Sequence, residues 1–310
     1  MRRYLRGQGG PGAKDSKRLM ISLDDIRYVR LGTANLDDAV SYATRILGLE
    51  LVQRDRAAAY LRSDQREHTL VYTIEDARQH SVGFEVRSAA DLDAAAARLE
   101  QARIRVRAAS VAECEQRHVD RAVFFADPTG NNLELVVRPA HGNRRYFPSR
   151  DAGITGFSHI GLHSRSPRED EEFWTSLFNA RVSDWIGDAP LLRIDPVHHR
   201  MALFPSKRSG VQHINHQVES IDDLMRSYYF LKQQNVKILF GPGRHPTSGA
   251  VFLYFEGPDG MVYEYSTGVR IITDEEGYRP RQFPAENRSF CAWGAVPEIP
   301  EFTATEAHCA

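Results

Sequence analysis

The sequence predicts an α+β protein in which one architecture is used twice, as four βαβββ modules. Three observations predict it. Short runs such as Phe157-Ser158-His159-Ile160-Gly161-Leu162, Val211–Val218 and Met261-Val262-Tyr263-Glu264-Tyr265 alternate apolar and polar residues, the period of a half-buried strand. Between such runs lie amphipathic stretches with helical spacing, expected over 36–46, 90–101, 168–177 and 221–234, the last two opening among Asp and Glu. The chain also repeats itself. Ile26–Thr33 falls on Phe157–Ser164 and Glu67-His68-Thr69-Leu70 on His198-His199-Arg200-Met201, both at an offset of 131 (159 − 28). Asp127–Glu134 falls on Gly257–Glu264 at 130 (264 − 134).

Taken in order, residues 1–23 form an extension, basic and glycine-rich from Met1 to Lys17 and expected to be flexible. No apolar core follows that would make it a signal peptide. Residues 24–138 make the first domain, and Pro139, Gly142, Pro148 and Gly153 mark 139–153 as a linker. Residues 154–268 make the second domain. Pro128-Thr129-Gly130 and Pro258-Asp259-Gly260 supply the turns between the final two strands of each half. Beyond 268 the repeat ends, and the tail 269–310 carries Tyr278, Phe283, Phe290 and Trp293, aromatics expected to pack onto the body or onto a neighbouring subunit of a homo-oligomer.

Composition bounds the function. A length of 310 residues accommodates two domains, each with its own core, and 42% apolar with 26% charged residues is the balance of a globular protein. A formal net charge of -1 offers no electrostatic case for nucleic acid or an anionic membrane as partner, and no run approaches the length of a membrane span. The three cysteines, Cys114, Cys291 and Cys309, are too scattered for a disulfide framework or a thiolate cage, so a reduced, cytoplasmic setting is expected.

The chemistry concentrates in the second half. His159, His213 and Glu264 each sit in one of the alternating runs quoted above. Singly, each histidine reads as a hydrogen-bonded core residue and Glu264 as half of an ion pair. Together they place three ionisable groups inward at module-equivalent strand positions, which an apolar interior does not tolerate without a compensating cation. Two imidazoles and one carboxylate form a facial set that leaves the other side of an octahedral metal open, as non-heme Fe(II) requires. His163, four residues from His159, faces the same side and is a competing ligand, whereas His216, three from His213, faces the other way. In the first half Tyr28 stands at the place of His159 and Ser81 at that of His213, while His68 and Glu134 keep the places of His199 and Glu264. A lone carboxylate is not a transition-metal site, so the first half is expected to be scaffold.

On these residues, between Ile26 and Val269, the chain resembles the two-domain type I extradiol ring-cleavage dioxygenases of the vicinal oxygen chelate superfamily, the glyoxalase, bleomycin-resistance and dioxygenase group. The resemblance implies two incomplete barrels built from the four modules, with Fe(II), or else Mn(II), held by His159, His213 and Glu264. It further implies an acid–base histidine at His199, in Val197-His198-His199-Arg200, a substrate-contacting histidine at His245, in Gly243-Arg244-His245-Pro246, and a tyrosine at Tyr254, ten residues before Glu264. The implied partners are O2 and a substituted catechol of the dihydroxybiphenyl, alkylcatechol or dihydroxycumate kind. Trp185 and Ile186 are candidates for an apolar wall, and Arg244 for a carboxylate partner. Two rivals remain within the same superfamily: a metal-dependent isomerase or thiol transferase, and a metal-free binding protein.

Overall fold

The computed structural model describes residues 20–142 and 145–303. The first module runs β1 (Asp25–Thr33), α1 (Leu36–Arg45), β2 (Glu50–Arg54), β3 (Ala58–Arg62) and β4 (Leu70–Ile74). The second runs β5 (His80–Glu85), α2 (Ala89–Gln101), β6 (Arg107–Ala108), a short α3 (Val111–Glu115), β7 (Arg121–Ala126) and β8 (Asn132–Val137). In the second half come β9 (Ile154–Ser164), α4 (Pro167–Leu177), β10 (Arg181–Ile186), β11 (Ala189–Arg193) and β12 (Met201–Pro205). The fourth module is β13 (Val211–Val218), α5 (Ile221–Gln233), β14 (Ile238–Arg244), β15 (Val251–Glu256) and β16 (Val262–Thr267). The four long helices begin and end within one residue of expectation, because each start carries its own stop signal for the strand before it. Asn35, Ser88 and Ser220 accept from the backbone N–H three residues on, and Pro167 opens α4.

Each half forms one open sheet. The first has the order β2-β3-β4-β1-β5-β8-β7-β6 and the second β14-β15-β16-β13-β9-β12-β11-β10-β17, where β17 (Arg281–Phe283) comes from the tail. The repeat is preserved residue by residue in the register. Tyr28 on β1 pairs with Gly83 on β5, which pairs with Glu134 on β8; His159 on β9 pairs with Asn215 on β13, which pairs with Glu264 on β16. Ser81 and His213 lie two residues before those central positions and so share their face.

Two expectations change. The halves do not have separate cores: one apolar cluster runs through both. Trp174 and Phe173 of α4 meet Phe84 and Phe125 of the first sheet at 5.3 and 6.4 Å between ring centroids. Tyr72 and Tyr263 join their hydroxyls across the halves at 2.5 Å. The expected extension of residues 1–23 falls outside the described residues up to 19, but 20–23 are docked. Ile21 N–H donates to Leu177 O at 2.8 Å and Leu23 N–H to Asn179 Oδ1 at 2.9 Å, and both side chains are buried. Burying those two apolar side chains ties the start of the chain to the end of α4. No helix among the described residues is long and apolar enough to cross a membrane.

Candidate metal centre

Three adjacent strands carry the candidate ligands: His159 on β9, His213 on β13 and Glu264 on β16. His159 Nε2 lies 3.1 Å from His213 Nε2 and 3.0 Å from Glu264 Oε2, and His213 Nε2 lies 3.5 Å from the same oxygen. All three side chains are buried, Glu264 completely. Gly161, opposite His213 in the sheet, makes room for its ring, since a Cβ there would stand 2.4 Å from His213 Nδ1. The Nδ1–H of His213 donates to Gln212 Oε1 at 2.5 Å, which leaves the Nε2 lone pair facing His159 and Glu264. Burial pushes the His213 imidazole down to about 3, so it is neutral at pH 7. Burial works against the Glu264 carboxylate, but His159 first, then His245 and His213, hold it well below its ordinary value.

That arrangement fits a divalent cation. Neither Glu264 oxygen has a hydrogen-bond donor in good geometry among the described residues, and an ionised carboxylate left so inside a protein costs several kcal/mol. Two imidazole nitrogens and one carboxylate, all within 4.8 Å of one another, are the donors an N,N,O metal site uses.

The remaining three residues flank this cluster on two sides. The His199 ring lies 4.3 Å from that of His159, centroid to centroid. Its Nδ1 meets His198 Nδ1 at 3.1 Å, and His198 Nε2 meets Asp184 Oδ2 at 3.0 Å. Asp184 is buried, and Arg281 of β17 donates to it from its backbone N–H at 2.8 Å and its guanidinium at 2.6 Å. Because Asp184 only accepts, His198 carries its proton on Nε2, His199 carries its own on Nδ1, and the Nε2 of His199 is left as an acceptor. Burial pushes His199 well below its ordinary value. On the other side His245 donates from Nδ1 to Phe290 O at 2.8 Å, with its Nε2 3.2 Å from Tyr254 Oη and 3.6 Å from Glu264 Oε1. Burial first, and Glu264 second, push the Tyr254 phenol well up, so it stays a donor. An apolar cluster of Ile186, Phe204, Phe240, Phe290 and Phe302 closes the space, with Phe302 5.5 Å from the Tyr254 ring.

The matching family model is described as the Glyoxalase/Bleomycin resistance protein/Dioxygenase superfamily, and it covers residues 25–135 and 156–265. The chain belongs to that superfamily. Its relatives include a biphenyl-2,3-diol 1,2-dioxygenase of Sphingomonas paucimobilis, 24% identical with 89% of this chain and 98% of that protein covered. An iron-dependent extradiol dioxygenase of Rhodococcus jostii is 26% identical, with 82% and 92% covered. Among solved structures, a Mn(II)-bound glyoxalase from Novosphingobium aromaticivorans is 27% identical with a TM-score of 0.81, covering 92% of this chain and 95% of that one.

Within this superfamily fold, several expected neighbours of the site lie elsewhere. Trp185 points out of the sheet, its indole N–H donating to Glu171 Oε2 at 2.8 Å, because it alternates with the inward Asp184 and Ile186. Arg244 alternates with His245 in the same way: its guanidinium donates to Gly249 O and lies 5.3 Å from the ring of Trp293. Trp293 itself, expected to be packed, is 54% exposed. His163 is not a competing ligand, since its Nδ1 lies 3.3 Å from Glu301 Oε1 beside a cleft of about 300 Å3 bordered also by Arg208 and His80. His216 faces away from the ligands, as expected, and neither of its nitrogens has a partner among the described residues.

In the first half the equivalent place holds no metal cluster among the described residues. Glu134 accepts from Tyr28 Oη at 2.8 Å, Ser81 Oγ at 2.7 Å and the guanidinium of Arg117 at 2.7 and 2.9 Å. Sequence reasoning found Tyr28, Ser81 and Glu134 but missed Arg117, Asp184, Arg281, Gln212 and Phe302. For Asp184 a signal existed, the alternation that puts it on the side of Ile186. For Arg117 and Phe302, in a loop and in the tail, there was none.

Proposed function

We propose that this chain is an extradiol dioxygenase that opens the ring of a substituted catechol with O2 at a mononuclear Fe(II), with Mn(II) as the alternative ion. The observation that carries the reading is the placement of an acceptor nitrogen, His199 Nε2, on one side of the His159–His213–Glu264 cluster and of Tyr254 and His245 on the other. A site for metal binding alone has no use for either flank. When bound, an ion held by His159, His213 and Glu264 would bring the diol and O2 together and supply the electron transfer that lets them combine.

Each residue then has one task. His159, His213 and Glu264 hold the ion, and the single carboxylate charge suits a catechol bound as monoanion. His199 Nε2 accepts the second catechol proton and returns it as the ring opens. Tyr254 donates a hydrogen bond to a substrate oxygen, and His245, aligned by the Phe290 carbonyl, contacts the substrate beside that hydroxyl. The ring carbon–carbon bond beside the diol breaks, both atoms of O2 enter the product, and no outside reductant is needed. The apolar side chains around Phe302 favour an apolar ring substituent. The buried, unpaired thiols of Cys114 and Cys291 support a reduced, cytoplasmic setting, and the domain limits at 24–138 and 154–268 and a homo-oligomeric state belong to the same reading.

Anaerobically purified protein loaded with Fe(II) and mixed with 3- and 4-substituted catechols in air is expected to consume one O2 per catechol and form a yellow product. A second reading rests on the likeness to the Mn(II)-bound glyoxalase. Turnover of a thiol adduct of an α-ketoaldehyde, with no O2 uptake on any catechol, would replace the first reading by that one.

A further inference from the structure

The first half contains a second group of metal-ligating side chains, built from different positions. Glu67 and His68 lie in the loop between β3 and β4, and His118 in the loop between α3 and β7. One carboxylate oxygen, Glu67 Oε2, is the meeting point: His118 Nδ1 lies 2.7 Å from it and His68 Nδ1 3.1 Å. The donors are as close together as those of His159, His213 and Glu264, at 3.0 to 3.5 Å.

The rings are fixed before any ion arrives. Tyr60 stacks on His118 at 4.5 Å between centroids and 15° between planes, and meets His68 edge-on at 5.4 Å. Tyr28 stacks on His68 from another side at 5.1 Å. The two imidazoles stand 89° apart, which aims both Nδ1 atoms at one point. His118 sits with φ at 50°, in the left-handed region that non-glycine residues seldom adopt. His68 is buried, while Glu67 and His118 keep 20% and 15% of their side chains exposed, so an ion can reach the cluster from solvent.

We propose that Glu67, His68 and His118 bind a divalent ion of borderline softness, Zn(II) foremost, as a structural staple between the two modules of the first half. Two imidazole nitrogens, one carboxylate oxygen and a water complete the tetrahedron that Zn(II) favours. We assign the site to structure because its walls are the rings of Tyr28 and Tyr60, whose hydroxyls are engaged elsewhere, with Glu134 and with the Gln116 carbonyl. Glu67 and His68 occupy the places that His198 and His199 hold in the second half, so the two halves use the same pair of positions for different ends. The inference does not depend on the proposed dioxygenase activity.

The test counts ions. Chelator-stripped protein dialysed against Zn(II) or Co(II) is expected to take up two ions per chain, one at each cluster. His213→Ala is expected to keep one, with the intense visible absorption of tetrahedral Co(II) and a rise in Tm on adding Zn(II). Glu67→Gln and His118→Asn, the latter a residue that tolerates positive φ, are each expected to lose one ion and that absorption while keeping the wild-type circular dichroism. No ion in His213→Ala, or an ion content unchanged from the wild type in both Glu67→Gln and His118→Asn, would overturn the proposal.

Discussion

Glu134 and Glu264 stand on equivalent strands of the two halves, equally deep, and differ in what neutralises them. Around Glu134 the chain supplies its own cation, the Arg117 guanidinium, with Tyr28 and Ser81 completing the hydrogen bonds. Around Glu264 it supplies two imidazole nitrogens turned inward and, among the described residues, no donor in good geometry. One backbone therefore supports a closed, self-neutralised carboxylate or an open one that asks for an external ion. The difference lies in three side chains and a loop, not in the sheet.

The largest test of that contrast exchanges each carboxylate for alanine. Glu264→Ala is expected to abolish iron binding at its cluster and all turnover, read by metal analysis and O2 uptake. Glu134→Ala is expected to leave both intact but to strand the half-buried Arg117, at a cost of about 3 kcal/mol in denaturant unfolding. The partnership with Arg117, which sets that cost, is not visible in the sequence. Equal loss of iron from both variants would dissolve the contrast.

Next comes the proton. His199→Asn is expected to retain iron and bind catechol anaerobically with little change in affinity, while kcat falls by about 10² to 10⁴. Ring opening at the parental rate would pass the role to His245.

A smaller effect separates the halves by pH. His216 on β13 corresponds to Phe84 on β5, each facing the equivalent residue of the neighbouring strand, Phe157 or Ile26. Burial holds the His216 imidazole down at about 4, against 6.5 when unfolded. The folded state therefore binds fewer protons, and the stability His216 permits is complete above pH 6.5 and declines as pH falls towards 4. The loss approaches about 3 kcal/mol. His216→Phe, which installs the residue of the first half, is expected to flatten the unfolding free energy over that window; an unchanged slope would show that another group carries it.

The smallest effect is expected at Asp184. Asp184→Asn replaces one of the two acceptor oxygens by a donor, so that His198 and Arg281 compete for the one that remains; the tautomer of His199 is loosened, lowering kcat by about tenfold with iron content unchanged. Loss of iron in this variant would mean that the pair supports the ligands rather than the proton.

Much of this was legible in the chain. Alternation and the internal repeat indicate which strands exist and which positions correspond, and they single out His159, His213 and Glu264; His199, His245 and Tyr254 are named only through the family resemblance, and the structure places all six together. What the repeat cannot convey is partnership across it. Phe84 packs on Trp174 of the other half, a contact between elements 90 residues apart (174 − 84) with no counterpart in local periodicity. Arg117 and Arg281 find Glu134 and Asp184 through long flexible side chains, whose direction depends on neighbours the sequence does not order.

The segment after the repeat has a consequence for inheritance. β17 adds to the edge of β10, and the residues that follow bring Phe290 O to His245 and Phe302 to Tyr254. The family match ends at residue 265, so none of these belongs to the unit that was duplicated. Ligand strands and tail can thus diverge at separate rates. A recombined chain carrying a foreign tail would keep the His159–His213–Glu264 cluster while exchanging the contacts that Phe290 and Phe302 make with His245 and Tyr254.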